Sequence, residues 1–158
     1  MTVRVCFVCL GNICRSPTAE VVFRKHVEAA GLSHRFDIDS AGTGRWHVGE
    51  LAHPETRATA RRHGLEITHR ARVFTAEDFE RFDWILALDT DNRRAILELA
   101  PDDAARAKVH LFRAFEAEGE VDAIVPDPYY DGRFDLVLEI CERASGALLS
   151  HVRRAHSI

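Results

Sequence analysis

Apolar residues along the chain fall into short runs, separated by segments in which they recur at helical spacing. Four of the short runs predict β-strands, at residues 3–8, 35–40, 84–88 and 109–112. The runs at 3–8 and 84–88 are apolar at nearly every position, which is typical of strands buried on both faces of a parallel sheet.

Helical spacing predicts four helices, at residues 17–30, 54–63, 91–99 and 131–152. Ser16 is a suitable N-cap for the first helix, and Pro17 fits its first position. Loops are expected at 41–44 and 113–128. Because strands alternate with helices, we predict an α/β fold: one three-layer domain over residues 1–158, with a four-stranded parallel sheet flanked by helices.

Composition narrows the possible partners. The chain has 158 residues, of which 46% are hydrophobic and 29% charged, and its net charge is −4. This balance argues against nucleic acid or an anionic membrane as a partner. No apolar stretch has the length of a membrane span, and the first residues lack the apolar region of a signal peptide. Any preference for anions must therefore come from a local site.

The cysteines do not form the pattern of a secreted disulfide framework, because three of the four are crowded near the N-terminus. We therefore predict a reduced, cytoplasmic protein, with export without a signal left open. Cys6 lies in the first predicted strand and Cys141 on the apolar face of the last helix, so both are expected in the core.

The segment after the first strand carries the clearest chemical signal. Cys9 and Arg15 are separated by five residues, and the predicted helix follows at once. The amides of such a loop and the helix dipole can bind an oxyanion, and Arg15 offers a planar fork to phosphate oxygens. The same groups favour the thiolate, the nucleophilic form of Cys9. Gly11 and Asn12 fit because such a loop requires left-handed backbone conformations.

A lone cysteine at a sheet edge is more often a small buried apolar residue. That alternative leaves the neighbouring Gly-Asn pair and the arginine unexplained. The constellation therefore favours a nucleophilic anion site that follows strand one.

The segment from Cys9 to Ser16, continued by Pro17-Thr18-Ala19-Glu20, resembles the signature of the low-molecular-weight protein tyrosine phosphatases. The resemblance covers nearly the whole chain and includes residues 39–43, Trp46, residues 63–64, residues 69–72 and residues 127–130. It implies a protein tyrosine phosphatase, a hydrolase of phosphotyrosine monoesters.

The family resemblance implies a two-step reaction. Cys9 would attack phosphorus to form a phosphocysteine, and Arg15 would clamp the phosphoryl group. Asp127 would protonate the leaving phenolate and then activate water, which helps because the phenol of tyrosine has a pKa near 10. Spacing alone favours a turn role for Asp127, between two prolines. The loop residues implied to bind phosphate are Leu10, Gly11, Asn12, Ile13, Cys14 and Ser16.

Supporting roles also follow from the resemblance. Ser16, Ser40 and His69 would hydrogen-bond Asn12 and hold its strained conformation, and Ser16 would also bond the sulfur of Cys9. Judged locally, Ser16 is an N-cap, Ser40 a polar loop residue and His69 a solvated or structural histidine.

Four residues would form the walls of a slot for an aromatic ring: Ile13, Trp46, Tyr129 and Tyr130. Such a slot would admit phosphotyrosine and exclude the shorter phosphoserine. A related branch that acts on phosphoarginine carries threonine at the position of Ile13, so the isoleucine favours tyrosine. Without the resemblance, Trp46 is equally well a half-buried loop aromatic, and the two tyrosines are equally well turn packing.

The resemblance suggests that Cys14 pairs with Cys9 under peroxide, whereas simple packing is the alternative. We predict no metal and no cofactor. Cys6-x2-Cys9 has no second pair to complete a zinc site, and the loop lacks the Gly-Lys-Ser/Thr of a nucleotide-binding loop. The histidines that could have supplied ligands lie on different predicted elements: His53, His63 and His69.

Two alternative functions make different demands on the sequence. A thioredoxin-coupled arsenate reductase would need relay cysteines, and residues 79–94, where they are expected, contain none. A non-catalytic phosphotyrosine-binding module would have lost the nucleophile, the arginine or the acid. The expected partners are phosphotyrosine proteins, with phosphate or oxyanion inhibitors in the loop and a monomer or weak dimer as the assembly.

Overall fold

A parallel sheet forms the centre of the molecule. The computed structural model describes residues 1–117 and 123–158. The strands are β1 (Val3–Cys9), β2 (Phe36–Gly42), β3 (Trp84–Ala87) and β4 (Val109–Leu111), in the spatial order β2-β1-β3-β4. All pair in parallel, so the predicted four-stranded parallel sheet is confirmed. Each strand lies where the apolar pattern placed it, with ends shifted by one or two residues.

Helices cover the sheet and connect its strands. They are α1 (Arg15–Ala29), α2 (Pro54–Arg62), α3 (Asp78–Arg81), α4 (Thr90–Glu98), α5 (Asp103–Arg106), α6 (Pro128–Asp131) and α7 (Phe134–His156). The single-turn helices α3 and α5 were not predicted, since one turn is too short to show a period. The expected loop at 113–128 begins inside a 3-10 turn, Phe112–Phe115, and part of it lies outside the described residues. Across the described chain, no helix is both long enough and apolar enough to cross a bilayer.

The two faces of β1 belong to separate cores, as the alternation of side chains along a strand requires. Val5 and Phe7 pack into the core that α1 and α7 cover. Cys6 and Val8 pack on the opposite face, with apolar residues of α3 and α4. These two cores make the three layers that the sequence predicted. Cys6 is fully buried there, and the equally buried Cys141 lies on α7 in the other core, as expected.

The predicted helix at 131–152 is wrong at both ends. Gly132 adopts φ +73°, a left-handed conformation that terminates α6, and its N–H donates to the carbonyl of Pro128 at 2.8 Å. α7 begins only at Phe134 and continues to His156. The apolar period could not reveal the break, because α6 is a single turn that leads directly into the longer helix.

Candidate active site

Cys9 is the last residue of β1, at the carboxyl edge of the sheet. Its Sγ lies 3.0 Å from Ser16 Oγ and accepts a hydrogen bond from the N–H of Asn12 at 3.3 Å. Cys9 is buried, with 2% of its surface exposed. An N–H donates to this sulfur and a hydroxyl able to donate lies beside it, so the surroundings suit a nucleophilic sulfur.

Ser16 does not cap α1, and the prediction that it does is wrong. The helix begins at Arg15, its N-cap position is Cys14, and no side chain caps it. Because the helix starts two residues earlier than predicted, Ser16 lies within its first turn. Its hydroxyl is placed between Cys9 Sγ and Asn12 Nδ2, which donates to it at 2.8 Å.

The loop takes a left-handed conformation at one position. Asn12 has φ +57°, as predicted, whereas Gly11 does not have a positive φ, and that part of the prediction is wrong. Glycine at position 11 instead gives space, since a Cβ there would lie 3.1 Å from Cδ2 of His47, whose side chain would have to move by a few tenths of an ångström. The neighbouring 46–47 segment therefore packs closely over the loop.

The side chain of Asn12 has four hydrogen-bond partners. Its Nδ2 donates to Ser16 Oγ at 2.8 Å and to Ser40 Oγ at 3.0 Å. Its Oδ1 accepts from His69 Nε2 at 2.8 Å and from the backbone N–H of Arg72 at 3.0 Å. The structure thus brings together the residues expected to support Asn12. Arg72 was missed, and a backbone donor leaves no signal in a sequence.

His69 also meets two carboxylates. Its Nδ1 lies 3.6 Å from Glu20 Oε1 and 3.5 Å from Asp39 Oδ1, a group of potential metal ligands that the sequence analysis did not foresee. Each of these oxygens also accepts a hydrogen bond from Ser40. Glu20 Oε1 accepts from its hydroxyl at 2.6 Å, and Asp39 Oδ1 accepts from its N–H at 2.8 Å. The arrangement therefore fits an imidazole ring held by two carboxylates and directed at Asn12.

Arg15 is 3% exposed and lies between two carboxylates. Its Nη1 donates to Asp89 Oδ2 at 2.6 Å and to the carbonyl of Val125 at 3.1 Å, and its Nη2 lies 3.6 Å from Asp127 Oδ2. Burial opposes the charge of Arg15, but the negative groups of Cys9, Asp89 and Asp127 outweigh burial and raise its pKa above the ordinary value. The guanidinium is thus fixed in orientation and permanently charged.

Asp89 is a site residue that the sequence analysis missed. It precedes α4, and its Oδ1 caps that helix by accepting the N–H of Asn92 at 2.7 Å. Its other oxygen binds Arg15. A signal was available, because the carboxyl ends of neighbouring parallel strands meet at one edge of a sheet, and Asp89 follows β3 as Cys9 ends β1.

Asp127 combines the two alternatives that the sequence left open. Its Oδ1 accepts the N–H of Tyr129 at 3.0 Å and so caps α6, a turn role. Its Oδ2 faces Arg15, and the carboxyl lines the same cavity as Cys9. One side chain therefore stabilises a turn and reaches the anion loop.

The cavity above Cys9 has a volume of about 220 Å³. Ile13 forms part of its inner wall, and three aromatic side chains form its rim, with 72% of Trp46, 53% of Tyr129 and 81% of Tyr130 exposed. The alternative of a half-buried Trp46 is therefore wrong. Turn packing of the tyrosines stays open, because the rings of Tyr129 and Tyr130 contact each other, with 5.3 Å between their centres, while both line the cavity. His47, which also lines the cavity, was missed.

Cys14 is buried and packs with Ile13, Ala71 and Phe134. Burial raises the pKa of its thiol to about 12, although a hydrogen bond with Thr56 acts in the opposite direction. All four cysteines are free thiols in this structure. In this structure Cys14 is therefore a packed, free thiol, and its pairing with Cys9 stays a prediction.

A parallel α/β domain with a thiol, an arginine and a carboxyl around one cavity has the arrangement of a cysteine-dependent phosphatase. The family model for "Low molecular weight phosphotyrosine protein phosphatase" matches residues 4–157. The chain belongs to this family.

Similar proteins support the same assignment. The low molecular weight protein-tyrosine-phosphatase of Streptomyces coelicolor is 52% identical, over 97% of this chain and 95% of its own. The crystal structure of YfkJ from Bacillus subtilis has a TM-score of 0.93 at 33% identity and covers 98% of this chain and 97% of its own. The protein tyrosine phosphatase of Entamoeba histolytica, with Hepes in its active site, has a TM-score of 0.92 at 33% identity and covers 98% of this chain and 99% of its own.

Proposed function

We propose that the protein hydrolyses phosphotyrosine monoesters through a phosphocysteine on Cys9. The observation that carries the proposal is the surroundings of the Cys9 sulfur, which Ser16 and the N–H of Asn12 approach at 3.0 and 3.3 Å while Arg15 and Asp127 line the same cavity.

In the first step the thiolate of Cys9 attacks phosphorus. The S–P bond forms as the P–O bond to the phenol breaks, and the carboxylic acid of Asp127 gives its proton to the departing oxygen. Arg15 and the loop amides bind the equatorial oxygens, on which the charge of the transferring group is spread. Since Asp89 and Val125 already hold Arg15, little reorganisation is needed when the substrate binds.

In the second step water attacks the phosphocysteine. Asp127, now a carboxylate, accepts a proton from that water, the S–P bond breaks and inorganic phosphate leaves. The sulfur returns as a thiolate, which the hydroxyl of Ser16 and the N–H of Asn12 stabilise. Both steps use the same groups, so no further residue and no cofactor enter the scheme.

The aromatic rim accounts for selection of tyrosine. A phenyl ring that enters the cavity covers apolar surface of Trp46 and Tyr129, which contributes about 25 cal/mol for each Å² removed from water. A serine phosphate would reach the loop without this contact. Oxyanions such as phosphate would bind the loop as inhibitors, and the Hepes in the Entamoeba histolytica active site is consistent with such an anion site.

One copy of the chain contributes every group in the scheme, so a monomer is sufficient. The reaction also requires a reduced thiol at Cys9, and cytoplasmic conditions maintain thiols in that form. We therefore place the protein in the cytoplasm as part of the proposal.

Steady-state hydrolysis of para-nitrophenyl phosphate and of phenyl phosphate tests the scheme. Cys9→Ser should abolish turnover of both, and rapid quenching of the unmodified enzyme should trap phosphate on Cys9. Asp127→Asn should slow phenyl phosphate by about 10²–10⁴-fold. It should slow para-nitrophenyl phosphate less, because nitrophenolate departs without a proton.

Urea unfolding of each variant controls for loss of structure. Undiminished turnover by Cys9→Ser would refute the nucleophile. The comparison is made on kcat/KM, which reports only the steps up to release of the phenol, because the second step is common to both substrates. An equal loss of kcat/KM on the two substrates in Asp127→Asn would show that Asp127 is not the leaving-group acid.

A further inference from the structure

A second depression adjoins the active-site cavity and shares part of its wall. Ile13, His47 and Tyr129 line both. The far wall of the depression, which we call the basic groove, is formed by His53, Arg57 and Arg70. A phosphorylated side chain in the cavity would therefore place its neighbouring residues at the mouth of the basic groove.

The basic groove presents two arginines whose charge is not neutralised by the described chain. Arg57 Nε donates to the carbonyl of Ala52 at 2.9 Å, and Arg70 Nη1 donates to the carbonyl of Gly49 at 2.9 Å. Within residues 1–117 and 123–158, neither guanidinium forms an ion pair with a carboxylate. Each is positioned by a backbone acceptor and still has free donors.

The acidic residue in the basic groove is already engaged. Glu50 Oε2 lies 3.0 Å from His47 Nδ1, at the border with the active-site cavity. Two arginines face this one carboxylate, so the net charge of the groove is positive, although the chain as a whole carries −4. This local charge is complementary to a carboxylate.

The groove is also joined to the catalytic loop. The backbone N–H of His53 donates to the carbonyl of Ile13 at 2.8 Å. The ring of His53 contacts Tyr129 edge-on, with 6.0 Å between ring centres, and lies 5.1 Å from the ring of Phe134. A ligand in the basic groove would therefore have a fixed relation to a phosphate bound above Cys9.

We propose that the basic groove binds the polypeptide segment beside the phosphotyrosine of a protein substrate, and that Arg57 and Arg70 select an acidic side chain there. The inference rests on the proposed phosphatase function and adds a substrate preference to it. The phosphoryl group determines the reaction in the cavity, and the arginines determine which phosphotyrosine sites react fastest.

Synthetic phosphotyrosine peptides test the preference. One set carries alanine at all flanking positions, a second carries a single aspartate moved stepwise through those positions, and a third carries lysine in place of aspartate. We expect aspartate at one or two adjacent positions to raise kcat/KM at low ionic strength, and lysine there to lower it. Because ionic strength screens such contacts, the preference should shrink as salt is added.

Variants connect the preference to the two arginines. Arg57→Gln and Arg70→Gln should each lower the ratio of kcat/KM for acidic over neutral peptide by about two- to fivefold, as for other partly exposed charge pairs. The double variant should bring the ratio close to one. Arg61→Gln is the matched control. Arg61 lies on α2, as Arg57 does, but it pairs with Glu66 at 3.7 Å and does not line the groove.

The outcomes separate this inference from the proposed function. Turnover of para-nitrophenyl phosphate without any preference for acidic peptides would overturn the inference alone. So would a preference that survives in the double variant, or one that Arg61→Gln removes equally. Failure to hydrolyse both para-nitrophenyl phosphate and all peptides would instead overturn the phosphatase function.

Discussion

Asp89→Asn tests whether the orientation of Arg15 depends on a residue that the sequence analysis missed. Asp89 has two roles, because Oδ2 binds Arg15 at 2.6 Å and Oδ1 caps α4 through the N–H of Asn92 at 2.7 Å. Asparagine is about as good an N-cap as aspartate but carries no charge. The carbonyl oxygen of asparagine can retain the helix cap, but its NH2 group then stands where Asp89 Oδ2 accepts from Arg15, so the substitution removes the hydrogen bond to the guanidinium as well as the charge.

The expected loss of kcat/KM follows from these contacts. A hydrogen bond to a charged group contributes about 1.5–3 kcal/mol. Because Asp89→Asn removes this bond to Arg15, it should lower kcat/KM by about 10- to 150-fold. Asp89→Ala removes the bond to Arg15 and the cap, so we expect a loss of kcat/KM in the same range and, in addition, about 1 kcal/mol less stability from the lost cap.

Initial rates on para-nitrophenyl phosphate and urea unfolding should be measured on the same samples. Asp91→Asn is the matched control, because Asp91 lies in the first turn of α4 and pairs with the exposed Arg94 at 3.1 Å. It should leave the rate unchanged. Wild-type kcat/KM in Asp89→Asn, or an equal loss in the Asp91 control, would refute the reasoning.

Two further predictions concern stability and are checked by urea unfolding. Asn12→Ala should lower the free energy of unfolding by about 2–4 kcal/mol, because it removes four hydrogen bonds worth about 0.5–1.5 kcal/mol each, although some of the partners keep other contacts. It also leaves a Cβ at a positive φ, which Asn12→Gly does not, so the glycine variant should lose less stability. Equal losses in the two variants would contradict the argument. The pKa of His110 is lowered by burial and then by the nearby charge of His151. The unfolded chain therefore takes up this proton first as pH falls, so the contribution is complete above about pH 6.5 and is lost as pH falls through the folded-state pKa. His110→Phe, which retains ring contacts with Trp84 and Phe115, should reduce the loss of stability between about pH 7.5 and pH 5, and an unchanged pH dependence would argue against this account.

The strands could be predicted because each carries its own burial signal. Val5 and Phe7 face one core while Cys6 and Val8 face the other, so nearly every position of β1 had to be apolar. Helix ends were predicted less well, since they depend on contacts that the local pattern does not contain. Ser16 has the chemistry of an N-cap, yet tertiary contacts with the sulfur of Cys9 use its hydroxyl instead.

The candidate site likewise contains residues that could be predicted from the sequence and residues that could not. Cys9 and Arg15 lie on one short segment, whose spacing already indicated an anion loop. Asp89 and Arg72 act on that loop from distant parts of the chain, and their roles depend on which strands are neighbours. The order β2-β1-β3-β4 brings both within reach, and the apolar pattern predicted parallel strands but not that order.

Asn12 shows why the Cys-x5-Arg spacing alone does not specify such a site. A left-handed conformation is unfavourable for a residue with a Cβ, so the loop shape needs compensation from elsewhere. That compensation comes from Ser40 within β2, from His69 and from the N–H of Arg72, all far from the loop in sequence. A chain with the same loop but without these partners would have no reason to hold Asn12 at φ +57°, and the N–H that Asn12 directs at Cys9 would lose its position. The distant partners, as much as the loop itself, therefore determine whether a cysteine and an arginine at this spacing form an anion site.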